Sequence, residues 1–278
     1  MSLPYLAGAL RRAGHDVQIL DACVGEDPTP LSETFYREEI LPSGLRRIGM
    51  PMAAIVEYAA RYDIVGITSI FTSQTTQVLD VVRHLKRARP QQMILAGGVN
   101  ARSLPARFFA AGVDAICTTE GEQVIVDVVR TCECFGLFLA TLNAVPGLQL
   151  PWGATSPPCV TMNLDNLPLP AWHLLPNERY WDIARPHGGG FGGQRVQYAE
   201  MMTSRGCPFA CTYCHISEEK RVGAITGNIG RFRVKSHERV MLELDVLRGL
   251  GVEYVFIEDD SLLAMKSRAL ALFRCLRS

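Results

Sequence analysis

The chain carries no excess of charge. Its 28 Lys and Arg residues balance 28 Asp and Glu residues over 278 positions. Nothing in it steers toward nucleic acid or an anionic membrane surface. Long hydrophobic runs are also lacking. Residues 135–142 are too few to cross a membrane and run into Asn143 and Pro146. Arg11 and Arg12 break the apolar N-terminal stretch, which argues against a signal peptide. The nine cysteines are an odd number in a long chain, which argues against a disulfide framework. There is no internal repeat. What is present is a hydrophobic fraction of 48%, ample for buried cores, and enough length for one large or two ordinary domains. A cytoplasmic globular protein is expected, with neither nucleic acid nor membrane as partner.

The pattern up to residue 131 alternates helix and strand. Helices are expected over residues 3–13, 52–61, 73–88, 104–110 and 123–131. Strands are expected over 16–20, 63–68, 93–96 and 114–117, with 25–50 as a surface excursion. Residues 63–68 form a continuous apolar run, the mark of a strand buried on both faces of a parallel sheet. The expected fold class is α/β, with an N-terminal Rossmann-like doubly wound parallel sheet over 1–142. Ligands of such sheets bind beyond the carboxyl ends of the strands. Those ends carry Ser69 and Thr72, Gly97 and Gly98, and Gly121 and Glu122. Small residues and hydroxyls there allow close approach of a large ligand, although each glycine alone could serve only a tight turn. Residues 143–194 read as a linker ending in a flexible Gly-rich run from His187 to Gly193. From 195 onward a second α/β pattern begins. A strand over 196–202 and a helix over 237–250 capped by Ser236 come first, then a strand over 253–257 and a helix over 266–276.

Between the first of these strands and its helix lie Cys207, Cys211 and Cys214, spaced C-x3-C-x2-C. Three thiolates on one loop can surround an inorganic centre. A four-iron cluster normally takes four thiolates, so three would leave one iron open to a substrate or cosubstrate. The alternative is a Cys3His zinc site that adds His215, although structural zinc usually draws on two separated ligand pairs. The scattered Cys23, Cys117, Cys132, Cys134, Cys159 and Cys275 read as small buried hydrophobes in a reducing compartment.

The cysteine spacing, Tyr213 just before the third cysteine and Arg205-Gly206 leading in resemble the cluster loop of the radical S-adenosylmethionine (SAM) enzymes. The resemblance implies a [4Fe-4S] cluster on Cys207, Cys211 and Cys214, and SAM on the open iron. It also implies Tyr213 near the adenine and a partial (βα)6 barrel, of which 195–278 hold the first βαβα. The strand-end pair Asp259-Asp260 would then help hold the SAM amino group. A solvated acidic turn before a helix is the plainer alternative for that pair.

Residues 63–69, 95–98, 119–122 and 164–172 resemble segments of the cobalamin (B12)-dependent radical SAM enzymes. This implies cobalamin as a further cofactor, contacted by Ser69, Thr72, Gly97, Gly98, Gly121 and Glu122. The Asp-x-His-x-x-Gly motif that supplies an axial histidine elsewhere is absent, since His15 and His84 have the wrong neighbours. The implied activity is methylation of an unactivated carbon by methylcobalamin and a 5'-deoxyadenosyl radical. The substrate would be a small molecule or peptide and the electron donor of flavodoxin or ferredoxin type. A non-methylating rearrangement or cyclisation, a non-catalytic cobalamin-binding fragment and a zinc-stabilised structural protein remain alternatives. No catalytic residue can be named. The first strand of the N-terminal sheet and the later strands of the barrel are not found, so the chain reads as truncated at both ends. On that expectation the last helix would have little to pack against and the chain would not turn over alone.

Overall fold

A computed structural model describes residues 2–158, 160–184 and 194–276. The Gly-rich run from His187 to Gly193 and Cys159 lie outside the described residues. The chain forms two compact units, one of Met1–Val17 with Pro157–Ser278 and one of Gln18–Ser156. No helix among the described residues is long and apolar enough to cross a membrane.

The chain opens with helix α1 (Ser2–Arg12), described below with its unit. The Gln18–Ser156 unit begins with irregular chain where a strand was expected over 16–20. A hairpin follows, β1 (Glu38–Ile40) against β2 (Arg46–Ile48), then α2 (Met52–Ala59). The alternation then runs β3 (Ile64–Thr68), α3 (Thr75–Ala88), β4 (Met93–Gly97), α4 (Val99–Ser103), α5 (Pro105–Ala111), β5 (Ala115–Cys117) and α6 (Gly121–Phe135). Strands β3, β4 and β5 are parallel neighbours in that order. One face of the sheet buries Leu79, Val82, Leu85 and Phe108 from α3 and α5 against Ile94 and Ile116. The other buries Val124 and Val128 of α6 against Leu95 and Ala115. Helices on both faces explain why β4 is apolar without alternation. Asp114 fixes the register, since its carboxylate accepts from Ile94 N (2.7 Å) and from Lys86 Nζ on α3 (2.7 Å).

The sheet extends past the boundary expected at residue 142. Strand β6 (Leu148–Leu150) adds antiparallel to β5, and β7 (Gly153–Ala154) adds antiparallel to β6, within the segment expected as linker. Leu148 and Leu150 are buried on either side of half-buried Gln149, the period of a strand with one face on a core.

The other unit contains α7 (Asn177–Ile183), β8 (Tyr198–Met201), β9 (Ser204–Arg205), α8 (His215–Arg221), α9 (Gly223–Thr226), β10 (Arg233–Val234), α10 (His237–Gly249), β11 (Tyr254–Ile257) and α11 (Lys266–Cys275). Strand β8 pairs parallel with β11, and β9 pairs antiparallel with β10. Ser236 caps α10 as expected, its Oγ accepting from Arg239 N at 3.0 Å. The core gathers Trp172, Trp181, Met201, Val240, Leu247 and Leu272. Helix α11, expected to have little to pack against, in fact buries Ala269 and Leu272. Their three-residue spacing places both on one face.

Helix α1, expected in the N-terminal domain, packs within this unit. Ala171 N donates to Pro4 O at 2.8 Å, and Arg12 donates to Asn166 O at 3.0 Å. A Cβ on Gly8 would stand 2.2 Å from Leu169 O, so glycine is needed for the helix to approach residues 164–172 so closely. That stretch, expected as a linker, is docked chain. Arg239 donates to Leu167 O (2.9 Å) and Pro168 O (2.8 Å), and Asp165 accepts from Ser236 N (2.9 Å).

At the centre of this packing lies a buried charge cluster. Glu243 is 0% exposed and Lys235 1%. Lys235 Nζ donates to Glu243 Oε2 at 2.5 Å and to the Tyr5 hydroxyl at 2.6 Å. Arg239 Nε donates to Glu243 Oε1 at 2.7 Å. Burial and then the charge of Glu243 push the Tyr5 hydroxyl far above the ordinary phenol range. Burial lowers the Lys235 pKa, and Glu243 opposes that shift. Removing the carboxylate would leave two buried cations facing one another. Glu243→Ala is therefore expected to destabilise this unit by about 3–5 kcal/mol, measured by chemical denaturation. A cost below ~1 kcal/mol would show that the cluster does not hold the unit together.

Candidate functional site

The three clustered cysteines lie on residues 206–214, between β9 and α8. Gly206 opens the loop at φ +74°, and a Cβ there would stand 2.4 Å from Arg231 O. Cys207 N donates to Gly230 O at 3.3 Å. Cys214 N donates to Cys211 O (3.2 Å), and Cys214 O accepts the first bonds of α8 from Ser217 N (3.1 Å) and Glu218 N (3.3 Å). Lys220, on α8, reaches back to Cys207 O at 2.9 Å and also to Phe209 O. Both ends of the loop are anchored while its tip is exposed.

Cys207 and Cys214 are half-buried, Cys211 is exposed, and all three are free. Tyr213 is 90% exposed. Among the described residues no three His, Cys, Asp or Glu side chains are gathered to hold a metal ion. That holds for the Cys3His zinc set with His215 as much as for the three thiols. Ligands seldom converge before their metal arrives, because thiolates brought together alone repel. The donor set fits an iron–sulfur cluster. Cys207 and Cys214 flank one short loop and Cys211 stands exposed between them, so the three thiols can close on one centre.

The acidic pair Asp259-Asp260 follows β11 and reaches the same loop. Asp259 accepts from Thr203 N (2.5 Å), Thr203 Oγ1 (2.6 Å), Ser204 N (3.1 Å) and Ser204 Oγ (2.7 Å). Arg268 of α11 donates to Thr203 O at 2.9 Å. Asp260 has an exposed surface. Partial desolvation raises its pKa, and so does the charge of Asp259, while nearby His215 and the Gly206 N–H act against the rise. Thr203, Ser204 and Lys220 were given no role from sequence. Thr203 and Ser204 stand directly before the cysteine motif, but their acceptor is a strand away.

In the Gln18–Ser156 unit, the expected cobalamin residues lie at the carboxyl ends of β3, β4 and β5. Ser69 is buried, and its Oγ accepts from Asn100 Nδ2 at 2.8 Å. Asn100 Nδ2 also reaches Thr75 Oγ1 (3.0 Å), which donates to Thr72 O (2.7 Å). Gly98 has φ +95°, and a Cβ there would stand 2.3 Å from Ser69 O. Gly98 is thus required by the neighbouring loop, whereas Gly97 has more room, the nearest atom to an added Cβ being Cys117 Cβ at 4.0 Å. Gly121 opens α6, and Glu122 is buried in its first turn. Asn100 and Thr75, which sequence reasoning passed over, stitch the first two loops together. Exposed Ile70 and Phe71 offer apolar surface beside them, which fits a flat macrocycle. His84 sits on α3 with Nδ1 2.8 Å from Asp80 O.

The scattered cysteines differ in setting. Cys132 is buried as expected, whereas Cys23, Cys117 and Cys275 are only half-buried and Cys134 is exposed, contrary to expectation. Burial pushes the Cys117 thiol up to about 11. At pH 8 its thiolate fraction is then roughly one in a thousand. Alkylation followed by mass spectrometry should label Cys134 and Cys211 first, with Cys117 reacting appreciably only as pH rises toward 11. Equal labelling of Cys117 at pH 8 would contradict that burial.

The family model of the B12 binding domain matches residues 1–129. Over 307 aligned positions and 100% of its length, the chain is 27% identical to a cytidylyl-2-hydroxyethylphosphonate methyltransferase of Streptomyces wedmorensis, covering 54% of that protein. Over 87% of its length it is 28% identical to an anaerobic magnesium-protoporphyrin IX monomethyl ester cyclase of Rubrivivax gelatinosus, covering 38% of that protein. Its fold matches the radical S-adenosylmethionine methyltransferase TsrM of Kitasatospora setae, solved with cobalamin and a [4Fe-4S] cluster. The TM-score is 0.64 at 17% identity, over 99% of this chain and 47% of that one. The chain spans about half the length of the first of these relatives and of TsrM, and less of the cyclase. Residues 1–129 thus match a B12 binding domain, and over nearly its whole length the chain is similar to a methyltransferase in sequence and to a cobalamin-bearing radical SAM methyltransferase in fold.

Proposed function

We propose that the chain is the cofactor-binding portion of a cobalamin-dependent radical SAM methyltransferase that acts on an unactivated carbon of a small molecule or peptide. The observation that carries this is the loop of Cys207, Cys211 and Cys214, rooted after β8, with Asp259-Asp260 at the end of its parallel partner β11. When bound, the cluster supplies the electron that splits SAM, and cobalamin supplies the methyl group. The protein's own part is positional. Cys207, Cys211 and Cys214 would hold three irons, and Asp260 would face the SAM ammonium, a favourable pairing of opposite charges. Tyr213, at the loop tip, offers an exposed ring to the adenine. Ile70, Phe71 and Gly97 offer an apolar, uncluttered surface to the corrin, beside Ser69, Thr72, Gly98, Gly121 and Glu122. An electron donor of flavodoxin or ferredoxin type and a cytoplasmic, reducing setting belong to the same reading. A second reading, cyclisation without methylation, is favoured by the likeness to the Rubrivivax gelatinosus cyclase.

Anaerobic reconstitution should load about four irons per chain, with matching sulfide. Cys211→Ala should lose most of that iron and the visible absorbance. Zinc in place of iron, or a full cluster in the variant, would overturn the cluster assignment. Production of 5'-deoxyadenosine with a strong reductant tests SAM cleavage, and methylated product distinguishes methyl transfer from cyclisation.

Cobalamin should bind without a protein histidine on cobalt, since no Asp-x-His-x-x-Gly motif is present. Electron paramagnetic resonance of the cob(II)alamin form should lack nitrogen superhyperfine splitting from an axial imidazole. Such splitting would refute the axial assignment, and absence of any cobalamin binding would refute the cofactor itself.

A further inference from the structure

We propose that Asp259 is a positioning residue that ties the root of the cysteine loop to the end of β11, leaving Asp260 as the acid of the pair that meets a ligand's ammonium group. This rests on the cofactor reading above and divides the roles of two residues that sequence could only treat as a pair.

A carboxylate offers about four lone-pair positions. In Asp259, Oδ1 receives Thr203 N (2.5 Å) and Ser204 N (3.1 Å), and Oδ2 receives Thr203 Oγ1 (2.6 Å) and Ser204 Oγ (2.7 Å). All four donors come from two buried residues, at 0% and 1% exposure. An ammonium could use this carboxylate only by displacing donors with no water to turn to, which is costly for buried groups. Arg268 holds the same root from the other side, donating to Thr203 O (2.9 Å) and Lys235 O (3.1 Å). Lys235 N donates to Thr203 O as well, at 2.9 Å. Three positions after Ser204 comes the first cysteine, Cys207, past the tight turn at Gly206. Asp259 therefore sets the point from which the loop departs. Asp260 accepts from the Gly206 N–H but differs in keeping an exposed surface beside that loop.

The test uses the full chain with Asp259→Asn, Asp259→Ala, Asp260→Asn and, as a mild change on the donor side, Ser204→Ala. Amide hydrogen exchange on the cofactor-free protein reads positioning directly. Exchange of Thr203, Ser204 and residues 207–214 should quicken about tenfold or more in Asp259→Ala, less in Ser204→Ala, and not in Asp260→Asn, whose own tie is to the Gly206 N–H. In reconstituted protein, the Asp259 and Ser204 variants should release iron to a chelator faster. SAM affinity per loaded cluster should stay within about twofold for Asp259→Asn and fall about tenfold or more for Asp260→Asn. The proposal is overturned if Asp259→Asn weakens SAM binding tenfold while loop exchange and iron release stay at wild-type values. It is also overturned if the loop exchanges normally in Ser204→Ala and both Asp259 variants. Failure of the wild type to load any cluster would instead count against the cofactor reading, and the exchange measurement would still decide the role of Asp259.

Discussion

Glu243 has no exposed surface, and a carboxylate in that position is tolerated only when cations and donors enclose it. Meeting that demand draws together parts far apart in the chain. Lys235 comes from the end of β10, Arg239 from the first turn of α10, and Tyr5 from α1. Arg239 then uses its remaining donors on Leu167 O and Pro168 O, which converts a Pro-rich connection into a docked strap. The backbone of Lys235 continues the chain of contacts to Thr203 O. One buried charge thus bears on the placement of the first helix, the strap and the root of the cysteine loop.

The loops of both units share a plan, with a fixed base and an open tip. At Gly98 and Gly206 the backbone stands so close to a carbonyl of another segment that no side chain would fit, and both glycines have φ in the left-handed region. Polar side chains hold the bases. Asn100 joins the turns after β3 and β4, Asp259 holds the chain just before the cysteine loop, and Lys220 holds the loop at Cys207 O. The tips carry exposed groups suited to large cofactors, Ile70 and Phe71 in one unit and Cys211 and Tyr213 in the other. A fixed base limits the conformational entropy lost when a tip closes on its ligand.

Much of this was legible in the sequence. The helices and strands from residue 52 to 131 fall within a few residues of their expected places, as does the helix capped by Ser236. The cysteine spacing and the strand-end glycines could be read because each is complete within a dozen residues. Hydrophobic period, cap chemistry and thiol spacing are local codes. What only the tertiary structure decided is which groups meet across distance. Asp259 lies 55 residues from Ser204, and Tyr5 lies 238 from Glu243. The assignment of α1 to one unit, the entry of β6 and β7 into the sheet, and the separate settings of Asp259 and Asp260 all follow from such meetings. A buried donor or acceptor must find a partner, but its own sequence neighbourhood does not name that partner. The choice is made by which strands lie side by side.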